Sequence, residues 1–156
     1  MHAYFLDAPD QPLSQDELAH EGILYWSLPT TEAEWLAPLQ AIREARGYVE
    51  MDQIHLGPDT PNLEAMCTKF FDEHLHTDEE IRFVVQGAGI FDLRDAADRW
   101  MRVHVQQGDL IIVPQDRYHR FTLDEQRTIT CKRLFKDNSG WTPVPRAQPA
   151  AGVVSR

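Results

Sequence analysis

The sequence is short of the features that mark a disulfide scaffold, a membrane span or a nucleic-acid binder. Only two cysteines, Cys67 and Cys131, occur among 156 residues, far apart and each in an apolar-rich segment. Buried free thiols are therefore expected rather than a cross-link, and no redox motif accompanies them. No run of about 18 apolar residues exists, so no transmembrane helix is expected. No charged-then-apolar leader opens the chain, which makes a cytoplasmic protein the default expectation. Basic residues are scarce: 15 Lys and Arg stand against 25 Asp and Glu, for a formal charge of -10. That balance repels nucleic acid and anionic lipid, and no basic cluster is hidden within the average.

What is present fits one domain, long enough to bury a core without metal or disulfide staples. Residues 1–140 are expected to form it, including an N-terminal helical segment, and residues 141–156 to form an extended, partly disordered tail. The tail is rich in proline, alanine and glycine and receives no role. Residues 1–13 read as an extended lead-in or edge strand. Ser14-Gln15-Asp16-Glu17 is a capping box that starts a short helix ending near Gly22, and Thr31-Glu32-Ala33-Glu34 opens a longer one through Arg46, with Gly47 as its stop. From Tyr48 the texture changes to short aromatic and β-branched runs punctuated by turn residues. Strands are expected near 48–56, 65–72, 80–86, 89–94, 100–105, 109–113, 119–123 and 128–135, with Gly87-Ala88-Gly89 as a turn. Eight strands at this spacing predict a mainly β fold, a double-sheet barrel or jelly roll.

Chemistry concentrates in Phe70–Arg82, FFDEHLHTDEEIR. On a β-strand, residues two apart share a face, so His74 and His76 can offer both imidazoles to one point. On a helix the same spacing is about 200° of rotation and separates them. Glu80 has the right parity, yet six extended residues cover roughly 20 Å. The chain must turn within Thr77-Asp78-Glu79, and Glu80 is expected back on the neighbouring strand. The run Leu110–Val113 leads into Pro114 and a short turn before His119, which starts the next strand at a sheet rim. Three imidazoles and one carboxylate make a donor set suited to Fe(II), Ni(II), Mn(II) or Co(II), with two octahedral positions left open. His2, His20, His55 and His104 have no spaced partner and are expected to be ordinary histidines. Asp72, Glu73, Asp78 and Glu79 are expected to form a solvated acidic rim. A thermolysin-type zinc protease is excluded, because its two histidines lie four apart on a helix.

This pattern resembles the cupin superfamily, whose motifs read G-x5-H-x-H-x3-E-x6-G and G-x5-P-x-G-x2-H-x3-N. His74, His76, Glu80 and Gly87 match the first, and Gly108, Pro114 and His119 the second. Thr68, Asp116 and Leu123 replace the first Gly of one motif and the Gly and Asn of the other. None of these three is a ligand position. More narrowly, EHLHTDEEIRF, DRWMRVHVQQGDLIIVPQDRYHRFTLDE and KRLFKDNSGWTP, with LSQDELAHEGILYW and ARGY upstream, are similar to the acireductone dioxygenase family, over most of the chain.

The resemblance implies a monomeric cupin barrel (a double-stranded β-helix) with two or so N-terminal helices, binding one Fe(II) or Ni(II) per chain through His74, His76, Glu80 and His119. It implies a substrate, acireductone, that is an enediol ketone with a methylthio tail, cleaved with dioxygen in methionine salvage. An iron form would give formate and the 2-keto acid precursor of methionine; a nickel form would give formate, carbon monoxide and a shorter methylthio acid. Phe70, Arg82, Phe121 and Arg133 would line the substrate pocket, with Arg82 and Arg133 as the catalytic cations. Two other readings stay open at this point: another cupin enzyme on the same ligand set, such as a flavonol-type dioxygenase or a sugar isomerase, and a non-enzymatic cupin that binds a small ligand.

Overall fold

The computed structural model describes residues 1–136 and 142–147; residues 137–141 and 148–156, including most of the anticipated tail, lie outside the described residues. In chain order the elements are β1 (His2–Phe5), β2 (Ala8–Pro12), α1 (Gln15–His20), β3 (Leu24–Ser27), α2 (Glu32–Arg46), β4 (Glu50–Leu56), α3 (Leu63–Phe71), β5 (His74–Leu75), β6 (Glu80–Arg94), β7 (Trp100–Gln106), β8 (Asp109–Val113), β9 (His119–Leu123), β10 (Ile129–Phe135) and β11 (Val144–Pro145). No helix among the described residues is long and apolar enough to cross a membrane.

All strand pairs among the described residues are antiparallel. One sheet runs β2-β1-β7-β6-β9-β5-β11. The other runs β4-β10-β6-β8-β3. The long β6 belongs to both: its first half pairs with β8 and β10, and from Ala88 onward it pairs with β7 and β9. The two sheets enclose one apolar cluster, in which Leu56, Val84, Ile111 and Cys131 of one sheet meet Phe91, Leu93 and Val103 of the other. The result is the double-sheet barrel that the strand spacing predicts. Helix α2 covers the outside of the second sheet, where Trp35 and Leu39 pack against Ile81, Phe83, Leu110, Ile112 and Leu134. This explains the unbroken apolar run of β8. Ile111 and Val113 face the barrel while Leu110 and Ile112 face α2, so the strand is buried on both sides.

Both N-terminal helices form where their caps predict. Ser14 and Glu17 make the reciprocal capping box of α1, and Gly47 ends α2 in the left-handed conformation. At α2, however, Thr31 Oγ1 donates to Glu34 Oε1 and not to the backbone, so only the position of the second box holds, without its bonding. Two expectations fail. The strand predicted at 65–72 is the helix α3. Its apolar residues Leu63, Met66, Cys67 and Phe70 recur at a helical interval and pack on the core, a period hidden by their β-favouring neighbours. The turn predicted at Gly87–Gly89 is continuous strand within β6, just after a β-bulge at Val85. The register against β10 slips by one residue between Thr130 and Cys131, and Gly87 takes φ 82°. That extra residue changes the inward parity from even (Val84) to odd (Phe91, Leu93), which lets one strand serve two sheets.

Asp92 lies on the face of β6 opposite Phe91 and Leu93, is 1% exposed, and accepts from Arg102 Nε (2.7 Å) and Arg120 Nε (2.9 Å). Arg120 is in turn sandwiched between the rings of Phe71 and Trp100. Removing the carboxylate strands two cations on a half-covered surface. Asp92→Ala is expected to lower unfolding stability by about 3 kcal/mol, read from the denaturant midpoint at unchanged m-value. A change below about 0.5 kcal/mol would show the pairs to be no more than surface decoration.

Candidate metal centre

Three separate elements deliver the histidines and Glu80. His74 on β5 and His119 on β9 are directly opposite each other in register, so their side chains meet across the strands. His76 follows β5 by one residue and keeps the shared face that the His-x-His spacing predicts. Ring centroids are 4.5 Å (His74–His119), 5.3 Å (His74–His76) and 5.6 Å (His76–His119) apart, and one nitrogen from each lies within 4.8 Å of the others. Glu80 opens β6 after the expected turn, but not on a strand next to β5. It sits in the second sheet, paired with Val113, and reaches the histidines across the barrel. Its Oε2 is 3.1 Å from His119 Nε2, and its Oε1 is 3.6 Å from His76 Nε2.

The turn before His119 is fixed by Asp116, which takes the left-handed φ of 61° where the cupin motif has glycine. Aspartate tolerates that region better than most residues. Its amide donates to His76 O at 2.8 Å, tying the two histidine-bearing segments together.

Backbone carbonyls set the tautomers. His74 Nδ1 donates to Asp72 O (2.6 Å) and His119 Nδ1 to Arg117 O (2.9 Å). A carbonyl can only accept, so each Nδ1 carries a proton; the Nε2 lone pair of neutral His74 is free, and that of His119 faces Glu80 and becomes free when its ring is neutral. Burial holds the His74 and His76 pKa values below the usual imidazole value, which keeps these rings neutral. Burial pushes against ionisation of His119 and Glu80 too, but there the charges win. Glu80 raises the His119 value, while Arg82 and His119 hold the Glu80 carboxyl well below the usual range. Two buried imidazole nitrogens, His76 Nδ1 and His119 Nε2, lack a well-formed hydrogen bond among the described residues, the latter facing Glu80 Oε2 at 3.1 Å. Such orphans cost about 1–3 kcal/mol each. Preoriented lone pairs, a fixed carboxylate and orphaned nitrogens together fit a bound divalent cation.

The cluster opens into a cavity of about 190 Å³, lined by all four of these residues and by Phe70, Arg82, Phe121 and Arg133. Phe70 arrives from α3 and not from a strand, and its ring meets Phe121 edge-on at 6.4 Å. Phe121 has room because residue 89 is glycine; a Cβ there would lie 2.6 Å from its ring. Arg82 Nη2 donates to Glu80 Oε1 at 2.8 Å, and Arg133 is held by both oxygens of Asp52 at 2.8 and 2.6 Å. Sequence reasoning missed Ile54, Leu56, Phe91, Ile129 and Cys131 in the lining. They carry no polar signal and come from strands distant in sequence. Burial pushes the Cys131 thiol up to about 12, so it is protonated and does not compete as a thiolate ligand.

The solvated acidic rim is overturned at two positions. Glu79 is 14% exposed and receives the Tyr48 hydroxyl, Arg46 Nη2 (3.0 Å) and Lys136 Nζ (3.5 Å), anchoring the turn before Glu80 to the end of α2. Glu73, before His74, pairs with Arg94 at 2.9 Å and Arg146 at 2.7 Å. Their cations lie 33 and 73 positions away, which a local reading cannot see. His2 and His104 also prove to be cross-strand neighbours, with Tyr4 OH 2.9 Å from His104 Nε2.

Comparison with known proteins agrees with this geometry. The ARD/ARD′ family profile matches residues 6–143. Acireductone dioxygenase of Dictyostelium discoideum is 43% identical over 146 residues, covering 94% of this chain and 99% of that protein. The Branchiostoma floridae enzyme of the same name is 47% identical over 139 residues, covering 88% and 77%. A solved structure of acireductone dioxygenase from Bacillus anthracis, with a cadmium ion in its active centre, superposes with TM-score 0.81 at 30% identity over 92% of this chain and 96% of that one.

The Glu79 anchor has a pH signature. Burial would raise its pKa, but Tyr48, Arg46 and Lys136 lower it below the ordinary glutamate value. A lowered folded value means stability that is present above the ordinary carboxylate range and lost as pH falls through it. Glu79→Gln is expected to cost about 2 kcal/mol at neutral pH and to flatten the acid limb of the stability profile. An acid limb of wild-type slope would show that Glu79 is not the titrating anchor.

Proposed function

The chain belongs to the ARD/ARD′ family, and from that premise we propose that it is an acireductone dioxygenase of methionine salvage, cleaving an enediol ketone with dioxygen. The observation that carries the reading is the convergence of His74, His76 and His119, two of them preset by backbone carbonyls, beside the buried carboxylate of Glu80. One Fe(II) or Ni(II) per chain would be held by these four residues and would supply Lewis acidity toward the enediol oxygens.

The remaining work falls to the protein's own groups. Arg82 fixes one oxygen of Glu80 and keeps a cation at the cavity, where it can face the anionic enediolate. Arg133, immobilised by Asp52, offers a second cation on the same wall. Phe70 and Phe121 give an apolar surface suited to a thioether tail and exclude water from the reacting carbons. We take the enzyme to be a monomer of one domain, to which β11 adds residues beyond the expected boundary at 140. The same donor set suits both ions, so we propose that the product follows the ion: the keto acid with iron, carbon monoxide with nickel.

Glu80→Ala and His119→Ala are expected to lose stoichiometric metal while Glu79→Gln keeps it; retained metal in Glu80→Ala would remove that residue from the ligand set. The function itself is tested by stripping the protein, reloading separate samples with Fe(II) and Ni(II), and assaying oxygen uptake, keto acid and carbon monoxide from acireductone. Identical products from both fully loaded samples would defeat metal-directed cleavage. No oxygen uptake with either would favour a cupin of different function.

A further inference from the structure

Strand β5 is only two residues long, and its ladder to β9 has a single register pair, His74↔His119. So short a strand cannot hold two histidines by its own hydrogen bonds. Its other edge is covered by β11, where Val144 pairs with Leu75 and Pro145 with His74. Proline cannot donate to a ladder, so this pairing is weak as well.

The segment is fastened instead from outside: Asp116 N donates to His76 O at 2.8 Å, Arg94 Nε to Glu73 Oε2 at 2.9 Å, and Arg146 makes the most contacts. Its amide donates to Glu73 O (3.0 Å), its Nη1 to Glu73 Oε2 (2.7 Å) and Asp98 Oδ1 (2.8 Å), and its Nη2 to Asp98 Oδ2 (3.1 Å). The guanidinium also stands 4.9 Å from the Tyr118 ring centroid. Glu73 immediately precedes His74, and Tyr118 immediately precedes His119. One side chain therefore touches the residue before each member of the cross-strand histidine pair, and braces both against the turn that carries Asp98.

We propose that Arg146 is a positioning residue of the metal centre, latching the chain after Pro143 across β5 so that His74 and His119 keep their ligating geometry. This rests on the metal reading above. Planar, bidentate contact is what makes arginine suited to the place; a lysine at this position would retain the charge and lose the fork.

The test compares wild type, Arg146→Ala, Arg146→Lys and, as a control for losing a surface cation, Arg99→Ala, whose partner Asp7 is more exposed than Glu73 and does not adjoin a histidine of the site. Nickel affinity is measured by chelator competition, and thermal unfolding is recorded on the metal-free proteins. Expected are an affinity loss of about 10-fold or more for Arg146→Ala, a smaller loss for Arg146→Lys, wild-type affinity for Arg99→Ala, and metal-free midpoints for Arg146→Ala and Arg99→Ala that agree. Unchanged affinity in Arg146→Ala overturns the proposal. So does an affinity loss that Arg99→Ala shares, or one that comes with a lowered metal-free midpoint in both Arg146 variants. A wild-type protein that takes up no metal would overturn the metal reading itself, a distinguishable failure that removes this proposal with it.

Discussion

A carboxylate taken out of water beside three imidazoles is costly, and the surroundings of Glu80 are arranged around that cost. Arg82 meets one oxygen and His119 the other, so the ionised form persists despite burial. His74 and His76 are kept neutral by burial and His119 is drawn toward Glu80, while the Nδ1–H groups of His74 and His119 donate to backbone carbonyls. What remains at the shared point is negative charge and free lone pairs, which is the electrostatic complement of a divalent ion.

Strand β6 makes this arrangement possible. Because it serves both sheets, it can begin at the site in one sheet and end in the other against β9, whose first residue is His119. Its bulge at Val85 shifts the inward parity so that both halves line the same interior. Around the ligands, a second tier of ion pairs replaces the missing ladder bonds. Glu73 and Glu79 each precede a site residue, and each is tied to cations from distant elements.

Much of this was legible in the sequence because the signals were local. The parity of His74 and His76, the turn before Glu80, the strand start at His119 and the caps of α1 and α2 each depend on a handful of neighbouring residues. The family resemblance drew attention to Phe70, Arg82, Phe121 and Arg133, all of which line the cavity. What stayed hidden depended on distance in the chain. Helix α3 was masked by β-favouring residue types whose 63, 66, 67, 70 spacing is helical. The strand across from Glu80, the sheet-switching bulge and the partners of Glu73 and Glu79 follow from topology, which composition and spacing do not encode. Asp116 is instructive: a departure from the motif's glycine keeps the same backbone conformation, because aspartate can adopt it.

His74, His76 and His119 converge with Glu80 where β5, β9 and β6 meet, and the proposed reading is that these four would hold one ion there. Anomalous diffraction from a crystal of the protein loaded with Ni(II) tests it most directly. The account predicts one full-occupancy peak within bonding distance of three imidazole nitrogens and a Glu80 oxygen, with Arg82 still on the carboxylate. A peak elsewhere, or one at the histidines with Glu80 turned away, would contradict it.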